Sequence, residues 1–122
     1  MAHDDIVTAK EITTNFLKGP SISLGLTADV GSAQGGQPLV SSFNVISVCG
    51  NAGDSVTLPA SFAAGTVIFI KNNGANSADV FPAAGDDCGA GANTAVALAA
   101  AKGIAYIATV DNATWANLVV GA

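Results

Sequence analysis

The chain has 122 residues, half of them apolar and only 11% charged, with a formal net charge of −5. This length predicts one domain with a buried core, while four scattered lysines and no arginine argue against nucleic-acid binding. The longest apolar stretch, Ala95 to Ala101, is too short to span a bilayer. So few charges predict that another protein surface covers part of the exterior.

The N-terminus begins with Met1-Ala2-His3-Asp4-Asp5. A secretory signal starts with basic residues followed by an apolar run, and this start has neither. We therefore expect synthesis in the cytoplasm of a host cell, without an export signal.

The first 38 residues are predicted to form an arm and loop ahead of a β module at residues 39–122, within one domain. Between Asp4 and Leu17, the apolar positions Ile6, Ile12 and Phe16 suit a helix of one or two turns as well as an extended strand. Gly19-Pro20 ends whichever of the two forms.

An alternating segment at Ser21–Leu26 predicts a strand with one apolar face. The Gly- and Gln-rich residues Val30–Pro38 that follow predict a flexible loop between arm and module.

Short apolar runs bounded by Gly, Pro, Asn and Asp divide the module into strands. The predicted strands are Ser42–Val48, Ser55–Leu58, Thr66–Lys71, Ala78–Phe81, Thr94–Leu98, Gly103–Val110 and Trp115–Val120. The run at Thr94–Leu98 is rich in Ala, so a short helical turn is its alternative.

Two hairpins are expected from the turn residues. Asn72-Asn73-Gly74 predicts a type I′ turn that pairs Thr66–Lys71 with Ala78–Phe81. The turn at residues 111–114 predicts that the last two strands form the second hairpin.

Strands at this spacing, without a βαβ rhythm, predict an all-β fold. We expect a small antiparallel β-sandwich or barrel of about seven or eight short strands with an extended N-terminal arm. The residues expected to point inward are Phe43, Val45, Ile68, Ile70, Val80, Ile104, Tyr106, Leu118 and Val120.

The sequence has no arrangement of side chains that indicates catalysis. His3 is the only histidine and lies near the N-terminus, which argues against a histidine-based zinc site or a catalytic histidine. The carboxylates at Asp86-Asp87 and in Asp111-Asn112 are expected to accept backbone N–H groups of turns rather than to bind calcium. We therefore predict no catalytic residue, no metal, no cofactor and no enzymatic activity.

Two kinds of residue remain to be placed, the cysteines and the single tryptophan. Cys49 and Cys88 are 39 positions apart, which is no CxxC motif, and a reducing compartment favours two free, buried thiols over a disulfide.

Trp115 is expected either to pack at the edge of its hairpin, which we favour, or to anchor an interface.

The segment from Phe43 to Val120 resembles small structural proteins of tailed bacteriophages. The residues that carry the resemblance are Gly53-Asp54-Ser55-Val56-Thr57-Leu58-Pro59, then Gly74-Ala75-Asn76-Ser77-Ala78-Asp79-Val80-Phe81-Pro82-Ala83, and the terminal hairpin with Tyr106 and Trp115. Such proteins include head decoration or cement proteins and short tail or fibre modules, which are usually trimeric and all-β.

The resemblance implies a capsid decoration protein on the outside of the virion, a homotrimer that binds the major capsid protein and stabilises contacts between coat subunits. The alternative is a receptor- or glycan-binding knob of a tail appendage, with Tyr106 and Trp115 exposed. Nucleic acid and membrane are not expected partners. The residues predicted to contact other copies or the shell are Ile6, Ile12, Phe16, Leu17 and Trp115.

Overall fold

The computed structural model describes residues 21–120, without the side chain of Val120. This part of the chain is all-β and contains nine strands and no helix. The strands are β1 (Ile22–Thr27), β2 (Gln37–Pro38), β3 (Phe43–Val48), β4 (Asp54–Thr57), β5 (Val67–Asn72), β6 (Ala78–Phe81), β7 (Val96–Leu98), β8 (Gly103–Val110) and β9 (Thr114–Val120).

The strands form two mixed sheets that share one core. The larger sheet has the order β1-β3-β5-β8-β9, and the smaller has the order β2-β4-β6-β7. From β1 to β6 the chain alternates between the two sheets. As a result β1, β3 and β5 pair in parallel in the larger sheet, and β2, β4 and β6 pair in parallel in the smaller one. The strands β7, β8 and β9 complete the sheets with antiparallel pairs.

The expectation of a purely antiparallel fold is therefore wrong, and so is the first predicted hairpin. β5 and β6 lie in different sheets and do not pair. A type I′ turn needs positive φ at both central residues, and neither Asn73 nor Gly74 has one. The Asn-Gly pair instead carries the chain from one sheet to the other.

Asn72 explains this change of sheet. It follows Ile68 and Ile70 on the inward side of β5 and is fully buried. Its Nδ2 donates to the carbonyl oxygens of Asn76 and Leu98, both at 2.9 Å, and its Oδ1 accepts the backbone N–H of Gly74 at 2.9 Å. One amide thus holds the turn after β5 against the end of β7.

Gly74 allows the same turn to pack against the loop after β3. A Cβ added at this position would lie 2.7 Å from the backbone N of Cys49, closer than real Cβ contacts. Residues 73–74 therefore fit only with a glycine at the second position.

The predicted inward residues separate into two groups. The buried ones, as expected, are Ile68, Ile70, Val80, Ile104 and Tyr106. Phe43 and Leu118 are exposed and Val45 is half-buried, so their inward assignment is wrong, while the Val120 side chain lies outside the described part. Ile46 is buried in place of Phe43 and Val45, because the inward side of β3 is the other face of that strand.

The second predicted hairpin is confirmed, since β8 and β9 pair antiparallel from Gly103↔Val120 to Val110↔Thr114. Residues 22–38, which the sequence places in the arm, form β1 and β2, and these pair with β3 and β4.

We predict that Asn72→Ala lowers the free energy of unfolding by about 2–3 kcal/mol, because it leaves two buried backbone groups and one partly buried one without their partner. Chemical denaturation at fixed protein concentration measures this. Asn73→Ala, next in the chain and exposed, is the matched control and should change stability little. Equal effects of the two substitutions would contradict the role given to Asn72.

Candidate interaction surface

The most extensive uncovered apolar surface of the described residues lies on the outer face of the larger sheet. One row of directly paired residues crosses all five strands, in the order Ile22, Phe43, Phe69, Ala105 and Leu118. Directly paired residues point to the same face of a sheet. We call this row, together with Ile107, the outer-face patch.

Strand alternation explains why these side chains lie outside. Ile46 on β3, Ile70 on β5 and Ile104 on β8 occupy the inward positions and are buried. Their neighbours on the same strands point away from the smaller sheet. Ile22 is 62% exposed, Phe69 45% and Leu118 65%, so the larger sheet is apolar on both faces and residues 21–120 cover only one of them.

A shallow depression of about 260 Å³ lies on this sheet between Phe43, Phe69, Lys71 and Gly103. Gly103 contributes no side chain, which leaves a gap beside the two aromatic rings. Lys71 is the charged residue at its border, and its Nζ donates to the carbonyl oxygen of Ala101 at 2.5 Å. The depression therefore offers an apolar recess for a side chain from another molecule.

The structure places only one of the sequence-predicted contact residues. Ile6, Ile12, Phe16 and Leu17 lie outside the described residues. Trp115 is 1% exposed, and its ring lies 4.1 Å from that of Phe62 and edge-on to that of Tyr106. It packs in the core, so in this structure it offers no surface to a partner.

Sequence reasoning missed the outer-face patch itself. Phe43 and Leu118 were assigned to the core, and Phe69 was not assigned to either face. The available signal was the continuous apolar run Val67–Ile70, which predicts a strand buried on both faces. Which of its faces the chain covers depends on the second sheet, and strand pattern alone does not report that.

The carboxylates behave largely as the turn hypothesis predicts. Asp87 Oδ1 accepts the N–H groups of Gly89 at 2.7 Å and Gly91 at 3.2 Å. Asp111 Oδ1 accepts the N–H of Ala64 at 2.6 Å. Asp87 therefore holds its own loop and Asp111 holds the separate turn at Ala64, so both accept turn N–H groups as expected.

Asp86 differs from the other two. It is 8% exposed, and its Oδ2 has no hydrogen-bond partner among the described residues. Burial raises the pKa of this carboxyl above its ordinary value, because the ionised form loses its hydration.

Both cysteines are free and buried, which confirms the prediction. Burial raises the pKa of Cys88 to about 11 and, with a smaller contribution from Asp54 and Asp79, raises the pKa of Cys49 as well. Thiols of this kind stay protonated at neutral pH and are poor nucleophiles and metal ligands. Their role here is packing.

Two grooves flank the exposed side chain of Val40, with volumes of about 390 and 480 Å³. Neither groove has a charged lining residue. Residues 21–120 hold no group of three or more His, Cys, Asp or Glu side chains that could bind a metal ion. No helix in this range is long and apolar enough to cross a membrane.

No protein-family model matches the chain, and neither the curated proteins nor the solved structures contain a match to it.

We predict that Asp86→Asn stabilises the protein at pH 7–8 and leaves its stability unchanged near pH 3. The pKa of Asp86 is raised in the folded state. The contribution of this carboxyl to stability is therefore full below its unfolded pKa and is lost as the pH rises through its folded pKa. An asparagine does not ionise, so the variant does not lose this contribution. Denaturation measured from pH 3 to pH 8 tests this.

Asp87→Asn makes the same change in net charge at a partly exposed neighbour and keeps an amide oxygen for the two N–H groups. It should not reproduce the stabilisation. A similar gain in both variants would assign the effect to net charge rather than to the burial of Asp86.

Proposed function

We propose that the chain is a structural protein of a tailed-phage virion, which decorates the exterior of the capsid as a homotrimer and stabilises contacts between coat subunits. The observation that supports this most is the outer-face patch, an apolar surface five strands wide. The resemblance of Phe43–Val120 to virion proteins supplies the setting, and the two packed sheets fit the sandwich expected of such a module.

The size of the sheet face that carries the patch suits an interface. Five strands and about six residues along each give a face of roughly 24 Å by 20 Å, or about 480 Å² before the relief of the side chains is counted. The largest apolar patch of a typical monomer is about 300–600 Å², and one partner of a standard interface contributes about 800 Å². The whole outer face, with the patch across its middle, therefore supplies a large share of one interface.

Other copies of the same chain are the partners that the charges favour. The chain carries a net charge of −5, so two copies repel each other wherever their carboxylates meet. The outer-face patch has no carboxylate, and the side chain of Lys71 at its border is bound to Ala101. Copies that meet through this face keep their negative charges apart and bury apolar side chains.

The energy of this contact is moderate. Ala105 is already buried, so completing the burial of the five exposed side chains of the patch contributes roughly 1 kcal/mol each, hence about 10 kcal/mol for two facing copies. The cost of association is about 4–15 kcal/mol. The face alone therefore supports weak association, and a stable oligomer needs further contact between copies.

A decoration protein binds the assembled shell and not the separate coat subunits. A protein that binds the shell and not its separate subunits stabilises the shell at each site according to its concentration and affinity. Many weak sites on the major capsid protein then add up to a substantial effect. A neutral exterior with little charge is compatible with such repeated contacts.

The alternative, a receptor- or glycan-binding knob, relied on aromatic side chains at the surface. Tyr106 and Trp115 are both buried, so the contact residues expected for that function are not available. The grooves beside Val40 remain as concave surfaces, but nothing in their lining favours a sugar over another ligand.

We predict that Phe69→Lys converts the oligomer to a monomer at micromolar concentration, because it buries an unpaired charge at the middle of the patch. Sedimentation velocity measures the mass, and circular dichroism checks the fold. Val30→Lys is the matched control, since Val30 is 84% exposed and lies in the loop after β1. A Phe69→Lys protein with the wild-type mass would contradict self-association through this face.

We further predict hundreds of copies on the outer surface of purified particles that contain this protein. Electron cryo-microscopy of those particles counts and locates them. About a dozen copies at the tail would contradict decoration and favour the appendage instead.

A further inference from the structure

The two sheets have four edge strands among residues 21–120, and three of them carry features that block pairing with another chain. β1 is irregular around Gly25, where φ is 74° and the register with β3 shifts. β2 has two residues, one of them Pro38, and β7 has three. Irregular register, proline and short length are the devices that protect sheet edges.

β9 lacks these devices over its C-terminal half. At its start the edge is already occupied, because Asp87 donates its N–H to the carbonyl oxygen of Ala113 and accepts the N–H of Trp115, and the register with β8 shifts between Ala108 and Val110. Residues 116–120 have no charge and no proline, and they pair without a break with Gly103–Ile107 of β8. A regular, uncharged edge segment presents backbone groups to which an extended chain can bind.

The C-terminal half of β9 is also uncovered on both of its faces among the described residues, whereas Trp115 near its start is buried. Leu118 belongs to the exposed outer-face patch. Val119 points to the inner side and is 56% exposed, although Ile104, its direct partner on β8, is buried. The smaller sheet has four strands against five in the larger, so the C-terminal half of β9 extends beyond its cover.

A segment of this same chain fits the edge. Residues 12–17, Ile-Thr-Thr-Asn-Phe-Leu, form an uncharged run between Glu11 and Lys18. β-branched and aromatic residues of this kind favour strands, and six residues are enough to span the open edge at residues 116–120. We propose that residues 12–17 of a neighbouring copy bind along β9 as an added strand. This rests on the self-association in the proposed function.

Chain length decides between the same copy and a neighbour. A strand added beyond β9 would lie five strand spacings from β1, which is about 24 Å. Leu17 and Ser21, which immediately precedes β1, are four residues apart and span at most about 14 Å. The segment therefore cannot reach β9 of its own copy and has to come from another.

The added strand would also cover both exposed sides of the C-terminal half of β9. Successive side chains of a strand point to opposite faces, so Phe16 and Leu17 bring apolar groups to the two sides of the sheet. Leu118 needs cover on one side and Val119 on the other. The added backbone pairs supply contact beyond the outer-face patch, whose own contribution is moderate.

Hydrogen exchange of the full-length wild-type protein, read by mass spectrometry over β9, tests this. We expect the amides of residues 116–119 that face the sheet edge to exchange at least about tenfold more slowly than those of a free edge. Thr13→Pro and Thr14→Pro are made separately, because only one of two adjacent N–H groups faces β9. At least one variant should lose the protection, and Thr8→Pro, outside the segment, should keep it.

Rapid hydrogen exchange of the β9 amides in a wild-type oligomer would contradict the binding of residues 12–17 along β9. It would leave the proposed association through the outer face intact. The same holds if the protection survives both Thr13→Pro and Thr14→Pro. A wild-type protein that is monomeric at micromolar concentration would contradict both the binding of residues 12–17 to a neighbouring copy and the self-association through the outer face.

Discussion

Among the described residues, the five-stranded sheet is apolar on both faces and only one of these faces is covered. On the inner side, Ile46, Ile70 and Ile104 are buried against the smaller sheet. On the outer side, Phe43, Phe69 and Leu118 stay exposed within residues 21–120. A protein with 11% charged residues has few other groups on its surface to offset this exposure, and we propose that assembly completes the burial of this face.

The path of the chain produces this two-faced sheet. Alternation between the sheets stacks β1, β3 and β5 in parallel, and the turn after β5 is held by the buried amide of Asn72. The fifth strand then extends beyond the four-stranded cover, which leaves the C-terminal half of β9 open among the described residues. The uncovered face and this open edge adjoin at Leu118, and we propose that other copies of the chain cover both.

The sequence predicted the strands well and their pairing poorly. Gly, Pro and Asn punctuation is a local signal, and eight of the nine described strands lie within two residues of the predicted bounds. The exception is β2, which was assigned to a loop. The partner of a strand is a non-local property: Asn73-Gly74 is typical of a hairpin, yet the hydrogen bonds of Asn72 send the chain to the other sheet.

The candidate surface was predictable in kind but not in position. Low charge indicated that a partner covers some of the exterior. The placement of Phe43 and Leu118 on the outer face depends on which side the second sheet occupies, and a shift of one residue in a strand reverses that assignment. The arm residues Ile6, Ile12, Phe16 and Leu17 lie outside the described part, so their contact role stays a prediction.

The mass of the full-length wild-type protein in solution, measured by light scattering over a dilution series down to about 1 µM, tests the central claim most directly. The uncovered face predicts an oligomer, of three copies if the virion resemblance holds, that dissociates only on dilution. A monomer throughout the series would show that the outer face tolerates solvent, and would contradict the account.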